Sequence, residues 1–172
     1  IQDEARPNLH ELVQAEEIVI PDEPIFEVYR DDAVTVSATL VEHPPVYPAF
    51  GFRFDTAEGS IVFSGDTAKS DALVELARGA DLLVHEAVNL DFYKEQGFSG
   101  AFLNHQACSH TSPADAGAVA QEAGVGRLVL SHLAGVATEQ WWAEQAATQF
   151  DGPISVARSG NRYALAEQPV LN

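Results

Sequence analysis

The chain has 172 residues, 46% of them hydrophobic, a formal net charge of −17 and a single cysteine, Cys108. That is enough apolar content for one domain with a real core, and no apolar run is long enough to span a bilayer. The acidic excess repels phosphate backbones and disfavours unaided nucleic-acid binding, while one cysteine excludes an internal disulfide and fits a reducing, cytoplasmic setting.

There is no secretory leader of the basic, apolar, small-residue kind. The sequence contains no methionine, so Ile1 is not an initiator and the expectation is a fragment or a processed product. Residues 1–23 are polar and acidic, broken by Pro7 and Pro21. They read as a leader or linker, or as a short amphipathic helix using Leu9, Leu12, Val13 and Ile18. Residues 24–166 read as a strand and helix core, and residues 167–172 as a tail.

Within the core, Pro24–Arg30 predicts a strand and Asp31-Asp32 a turn. Residues 33–42 alternate, with Val34, Val36, Ala38 and Leu40 on one face. That strand ends at His43, because Pro44-Pro45 cannot continue it. Residues 49–55 form the next strand, with Phe50, Phe52 and Phe54 sharing a face. A turn at Ala57-Glu58-Gly59 leads into Ser60–Ser64. Ser70 is placed to cap a helix over Asp71–Arg78 that Gly79 ends. Leu82-Leu83-Val84 is a buried strand ending at His85-Glu86. Residues 87–109 read as an irregular loop over the site. Ser112-Pro113-Ala114-Asp115 opens a helix that Gly124 stops. Arg127–Ser131 is a buried strand ending at His132. A helix over Thr138–Phe150, a strand over Pro153–Arg158, a turn at Ser159-Gly160-Asn161 and a last strand over Arg162–Ala166 complete an α/β order.

Asp66, Glu86 and His132 each follow an apolar strand, and His43 follows an alternating one. Ligands in α/β sheets sit beyond the carboxyl ends of strands. If these strands share a sheet, the four groups converge at one rim. Imidazole and carboxylate suit zinc, manganese or iron, and a carboxylate such as Asp66 can bridge two ions. A paired site of that kind activates water. Each residue also has a plainer role. Asp66 can cap a turn, His43 a strand end and His110 the helix that starts at Ser112, while Glu86 can pair with Arg53 or Arg127. His85 alternates against Glu86 and is read as structural. His10 and His105 are assigned no role. Trp141 and Trp142 are read as rim and core.

The run His43-Pro44, Phe50-Gly51-Phe52-Arg53 and Phe63-Ser64-Gly65-Asp66-Thr67 resembles the second half of the metallo-β-lactamase fold, in its ribonuclease Z and arylsulfatase-like branch. His85-Glu86-Ala87, Ser109-His110-Thr111-Ser112 and Leu130-Ser131-His132-Leu133 are similar to that branch's later motifs, in the same order. The resemblance covers residues 33–166. It implies the carboxyl-terminal half of an αββα sandwich and a metal-dependent hydrolase. In that mechanism water or hydroxide on a dinuclear zinc centre attacks an ester, sulfate ester or phosphodiester. By position it implies His43 and His132 as metal ligands, Asp66 as the bridging ligand, and His110 held by Glu86 as the proton donor.

Two departures stand out. The family's His-x-His-x-Asp-His motif is absent, so this chain alone is expected to hold metal poorly and to pair with the missing half or form a homo-oligomer. Between His43 and Asp66 lies a hairpin where ribonuclease Z carries a long transfer-RNA arm. With the acidic charge, that disfavours transfer-RNA processing and favours an arylsulfatase-like or general ester hydrolase. A non-catalytic half-domain that binds a partner chain is the reading outside enzymes.

Overall fold

Seven strands lie side by side in one sheet in their order along the chain. The computed structural model describes residues 12–165 apart from Gln14. The elements are β1 (Phe26–Arg30), β2 (Val34–Leu40), β3 (Phe50–Thr56), β4 (Gly59–Phe63), α1 (Asp71–Ala77), β5 (Leu82–Val88), α2 (Leu90–Glu95), α3 (Gly100–Ser109), α4 (Pro113–Ala123), β6 (Leu128–Ala134), α5 (Glu139–Ala146) and β7 (Ile154–Val156). β1 to β4 pair antiparallel, through short turns except for residues 41–49 between β2 and β3. β4 to β7 pair parallel, because helices carry the chain back between them.

Alternation along each strand gives the sheet two different faces. Val62, Leu83, Ala87, Leu128 and Leu130 point to one side, where they pack with Leu73 and Leu76 of α1, Val119 and Ala120 of α4 and Trp142 of α5. Leu73, Leu83, Leu128 and Leu130 are fully buried. Truncating any one of them to Ala costs about 2–5 kcal/mol. Gly117 lets α4 and α5 touch, since a Cβ there would meet the Ala146 carbonyl oxygen at 2.3 Å. Trp141 lies half-buried at the edge of this core. The opposite face carries Phe26, Phe50, Phe52, Phe54 and Phe63. Their rings contact one another edge-on or tilted, and Phe63 remains 43% exposed.

The helix signals act as read. Ser70 accepts from the Leu73 N–H and Ser112 from the Asp115 N–H, and Gly124 stops α4 with φ +65°. Other expectations need correction. Residues 87–109 are not irregular: β5 runs on to Val88 and two helices follow. Asn89 caps α2 by accepting from Phe92, and Ser99 caps α3 by accepting from Phe102. β6 likewise continues through His132 to Ala134, because Leu133 and Ala134 still pair with Ala87 and Val88. α5 is shorter than Thr138–Phe150, with Thr138 as its cap. Residues 162–165 form no strand, and Ala166 and the 167–172 tail lie outside the described residues. Residues 15–21 form no helix, and Leu12, Val13 and Ile18 are exposed; Leu9 and His10 lie outside the described residues. No helix among the described residues is long and apolar enough to cross a membrane.

Candidate active site

The site begins where β4 ends. The Ser64 N–H donates to the Val84 carbonyl at 3.0 Å, which keeps the chain on the sheet for one more residue. Gly65 then turns it with φ +62°. A Cβ there would lie 2.5 Å from the Phe50 carbonyl oxygen, so glycine alone makes this turn. Asp66 is thereby set half-buried beyond the strand ends.

Glu86 ties the surrounding loops together. Its Oε1 accepts from the Thr67 N–H at 3.1 Å, the Thr111 N–H at 3.2 Å and the His110 Nδ1 at 3.0 Å. The Thr111 hydroxyl donates to the Thr67 carbonyl, and Thr67 Oγ1 accepts from the Glu42 N–H beside His43. One buried carboxylate therefore joins the loops that carry Asp66, His43 and His110. The pairing of Glu86 with an arginine does not occur: Arg53 binds Asp55 and the Leu76 and Arg78 carbonyls. Nor does His110 cap α4, where Ser112 is the cap; His110 ends α3 instead.

Since Oε1 already accepts from two backbone donors, the His110 Nδ1 carries a proton toward it, leaving Nε2 free. Glu86 Oε2 is buried without a partner. Burial pushes the Glu86 carboxyl up to about 8, against the pull of the Thr67 and Thr111 N–H groups. Burial pushes His110 down, and the nearby charge of His43 adds to that. The pair together therefore holds one exchangeable proton near neutral pH. His85, fully buried on the helix side, donates from Nδ1 to the Glu86 carbonyl at 2.7 Å, and burial lowers it to about 4.

His132 reaches the site by a different device. Glu86 pairs with Ser131 and Ala87 with Leu133, so His132 is an extra residue on β6. It is a bulge, with φ +43°. A non-glycine residue there stores about 1–3 kcal/mol of strain, and such strain concentrates at functional sites. The bulge brings His132 Nε2 to 3.3 Å from Asp66 Oδ2. A concavity of about 240 Å³ opens between them, with Phe63, Glu86 and Ser131 among its walls.

His43 completes the cluster from the β2 side. Its ring centroid lies 5.0 Å from that of His110, and its Nδ1 is 3.0 Å from the Ser109 carbonyl. The structure thus gathers Asp66 with His132, Glu86 with His110, and His43 with His110. Among the described residues no set of three His, Cys, Asp or Glu side chains is arranged to hold a metal ion. A larger concavity of about 370 Å³, lined by Asn89, Phe92 and Trp141, contains none of these residues. Sequence reasoning gave no separate role to Thr67, Ser109 or His105. The His105 ring lies 6.2 Å from that of His110, and its i, i+4 spacing to Ser109 on a helix was the available signal.

Comparison with known proteins adds the following. The family profile described as Beta-lactamase superfamily domain matches residues 2–133. Ribonuclease Z of Mycobacterium tuberculosis is 37% identical over 137 residues, covering 78% of this chain and 50% of the relative. Ribonuclease Z of Mycobacterium marinum is 35% identical over 143 residues, covering 80% and 50%. This chain spans about half the length of the curated relatives it matches. Among solved structures, the metallo-beta-lactamase fold protein YhfI from Bacillus subtilis has a TM-score of 0.64 at 23% identity, covering 83% of this chain and 53% of that one. The short form of human tRNase Z has a TM-score of 0.53 at 24% identity, covering 78% and 43%. These two share the fold.

Proposed function

Because this chain belongs to the Beta-lactamase superfamily domain family, we propose that it is the carboxyl-terminal part of a metal-dependent phosphodiester hydrolase of the ribonuclease Z kind. The observation that carries the reading is the pairing of Asp66 Oδ2 with His132 Nε2 at 3.3 Å, where the turn after β4 meets the bulge of β6. The ribonuclease Z relatives support a phosphodiester over a sulfate ester.

The donors fit a zinc-type ion in kind, and fall short in number. Asp66 offers oxygen and His132 nitrogen, the ligand types that suit zinc, with manganese or iron next. His43 donates from Nδ1 to the Ser109 carbonyl, which leaves its Nε2 lone pair for a ligand. Because no three such side chains are arranged together as a metal site among the described residues, this reading takes the remaining ligands from a parent chain of about the relatives' length, about twice this one. A two-ion centre, when bound, supplies an acidified water and an electrostatic hold on the substrate's anionic oxygens.

The chain's own residues then divide the work. Asp66, His132 and His43 would hold such a centre. When the pair's exchangeable proton sits on His110 Nε2, with Nδ1–H still held by an ionised Glu86, His110 gives that proton to the departing oxygen and returns to the neutral Nδ1–H form. Glu86 holds Nδ1 and so fixes the direction in which Nε2 points. Water exclusion around Glu86 keeps that proton in the pair until a leaving oxygen takes it. The aromatic face of Phe50, Phe52, Phe54 and Phe63 packs against the remaining part of the parent chain and makes the second half of the sandwich.

The test uses the full-length protein, assayed with a tRNA precursor carrying a 3′ trailer, bis(nitrophenyl) phosphate and nitrophenyl sulfate. Zinc-dependent cleavage of either phosphodiester with little sulfate-ester cleavage is the expected result. Preferential cleavage of the sulfate ester returns the protein to the arylsulfatase-like reading. Absence of all three activities with zinc bound leaves a binding module.

A further inference from the structure

Ser109 is fully buried, directly precedes His110, and makes three contacts that no catalytic role explains. Its carbonyl faces His43 Nδ1 at 3.0 Å. Its hydroxyl donates to the Pro44 carbonyl. Its Oγ also lies 3.2 Å from His105 Nδ1. Donor counting decides the protons. A hydroxyl has one hydrogen, and the Pro44 carbonyl can only accept it, so His105 Nδ1 must donate to Oγ. A carbonyl likewise can only accept, so His43 Nδ1 carries its own proton. The same residue thus grips both the His43 ring and the backbone just after it, with His105 behind.

We propose that Ser109, braced by His105, is a positioning residue that locks His43 in its Nδ1–H tautomer and so keeps the Nε2 lone pair available for a ligand. This rests on the ligand role proposed for His43, and it adds a physical origin for that role. The loop from His43 to Pro48 has no strand partners. Val46 and Tyr47 on it are exposed, and one turn bond joins the Val46 N–H to the His43 carbonyl. The hydroxyl bond to Pro44 keeps this loop docked so that the His43 ring stays opposite the Ser109 carbonyl; without it the loop can carry the ring away from that acceptor and the tautomers exchange. Anchoring it to the last turn of α3 ties His43 to the element that also ends in His110, so the two imidazoles keep their 5.0 Å separation.

The experiment compares wild type, Ser109→Ala, Ser109→Thr and His43→Ala in the full-length protein. Long-range proton–nitrogen NMR of the chelator-treated protein reads the His43 tautomer, with His85 as internal control. Competition with a chromophoric chelator reads zinc affinity. The wild type is expected to show Nδ1–H at both His43 and His85. Ser109→Ala keeps the carbonyl that faces His43 Nδ1 but loses the hydroxyl that docks Pro44; the loop should then shift the ring off that carbonyl, mix the His43 tautomers, leave His85 unchanged and weaken zinc binding by ~10–100-fold, the usual loss when a ligand's support is removed. Ser109→Thr, which keeps the hydroxyl, should restore both. An unmixed Nδ1–H tautomer at His43 in Ser109→Ala overturns the proposal, whatever the zinc affinity. If His43→Ala binds zinc as tightly as wild type, the ligand assignment fails, and the tautomer readout still decides the clamp. Loss of the His85 signal would mark a folding defect, in which case Ser109→Cys, similar in volume with a weaker donor, replaces alanine; an unmixed His43 tautomer there also overturns the proposal.

Discussion

Two acid–imidazole pairs stand next to each other at the strand ends, and solvent treats them differently. In the Glu86–His110 pair the side chains are 2% and 10% exposed; in the Asp66–His132 pair they are 38% and 63% exposed. Glu86 is held by three donors on one oxygen, from two separate loops. Asp66 and His132 owe their meeting to backbone instead, a glycine turn on one side and a strained bulge on the other. The lesson is a division of labour. Burial suits a pair that must keep a proton and one geometry. Access suits a pair that must meet a ligand from outside.

The largest test removes the open pair. Asp66→Ala in the full-length protein should lose bound metal and activity together. The loss should exceed the ~10²–10⁴-fold that general-acid removal costs. Elemental analysis alongside turnover decides it; retained metal would show that Asp66 is not a ligand.

Next is the closed pair. His110→Ala should keep its metal and lose ~10²–10⁴-fold in turnover on a poor leaving group. The deficit should shrink on a nitrophenyl ester, whose leaving oxygen needs less protonation. Equal deficits on both substrates would sink the proton-donor role, and lost metal would make His110 a ligand.

A third test uses pH on the metal-free protein. Glu86 is raised from 4.5 to about 8, so its contribution is full below pH 4.5 and is lost as pH rises through 8. His85 is lowered from 6.5 to about 4, so its contribution is full above pH 6.5 and is lost as pH falls through 4. The two slopes oppose each other between 4.5 and 6.5, and only Glu86 acts between 6.5 and 8. Over that upper window wild type should lose about 2 kcal/mol relative to Glu86→Gln, which cannot ionise. Urea denaturation of both proteins at pH 6.5 and 8 measures the difference; parallel behaviour would mean that Glu86 is already ionised in the fold.

The smallest effect concerns the bulge. His132→Gly relieves a positive φ and should change stability by no more than about 1 kcal/mol in either direction, because glycine's extra unfolded freedom offsets the strain. Metal affinity should fall all the same. A large loss of stability in thermal melts would show that His132 packs rather than waits for a ligand.

Much of this was legible from local chemistry. Ser70, Ser112 and Gly124 announce helix ends, because their side chains or their backbone freedom act within one turn. The two helices read instead as loop carry equally local signals, Asn89 and Ser99 as caps and Gly97 at a positive φ between them. They were hidden by weak apolar periodicity: α3 buries only Gln106 and Ser109, both polar. The extension of β6 past His132 could not be read locally, since its partner strand decides where a parallel pair stops.

The sequence by itself determined which groups are present and which element each belongs to: Asp66 after an apolar run and a glycine, Glu86 on a buried strand, His110 before a capped helix. Those are one-dimensional facts, carried by apolar alternation, caps and turn residues that act over a few positions. The tertiary structure alone decided how the groups pair. That Glu86 faces His110 rather than an arginine, that Ser109 grips His43, and that a bulge brings His132 to Asp66 all depend on neighbours far apart in the chain. Such pairing is set by sheet register and loop docking, and a hydrogen bond exists only once its two ends have been brought within about 3 Å.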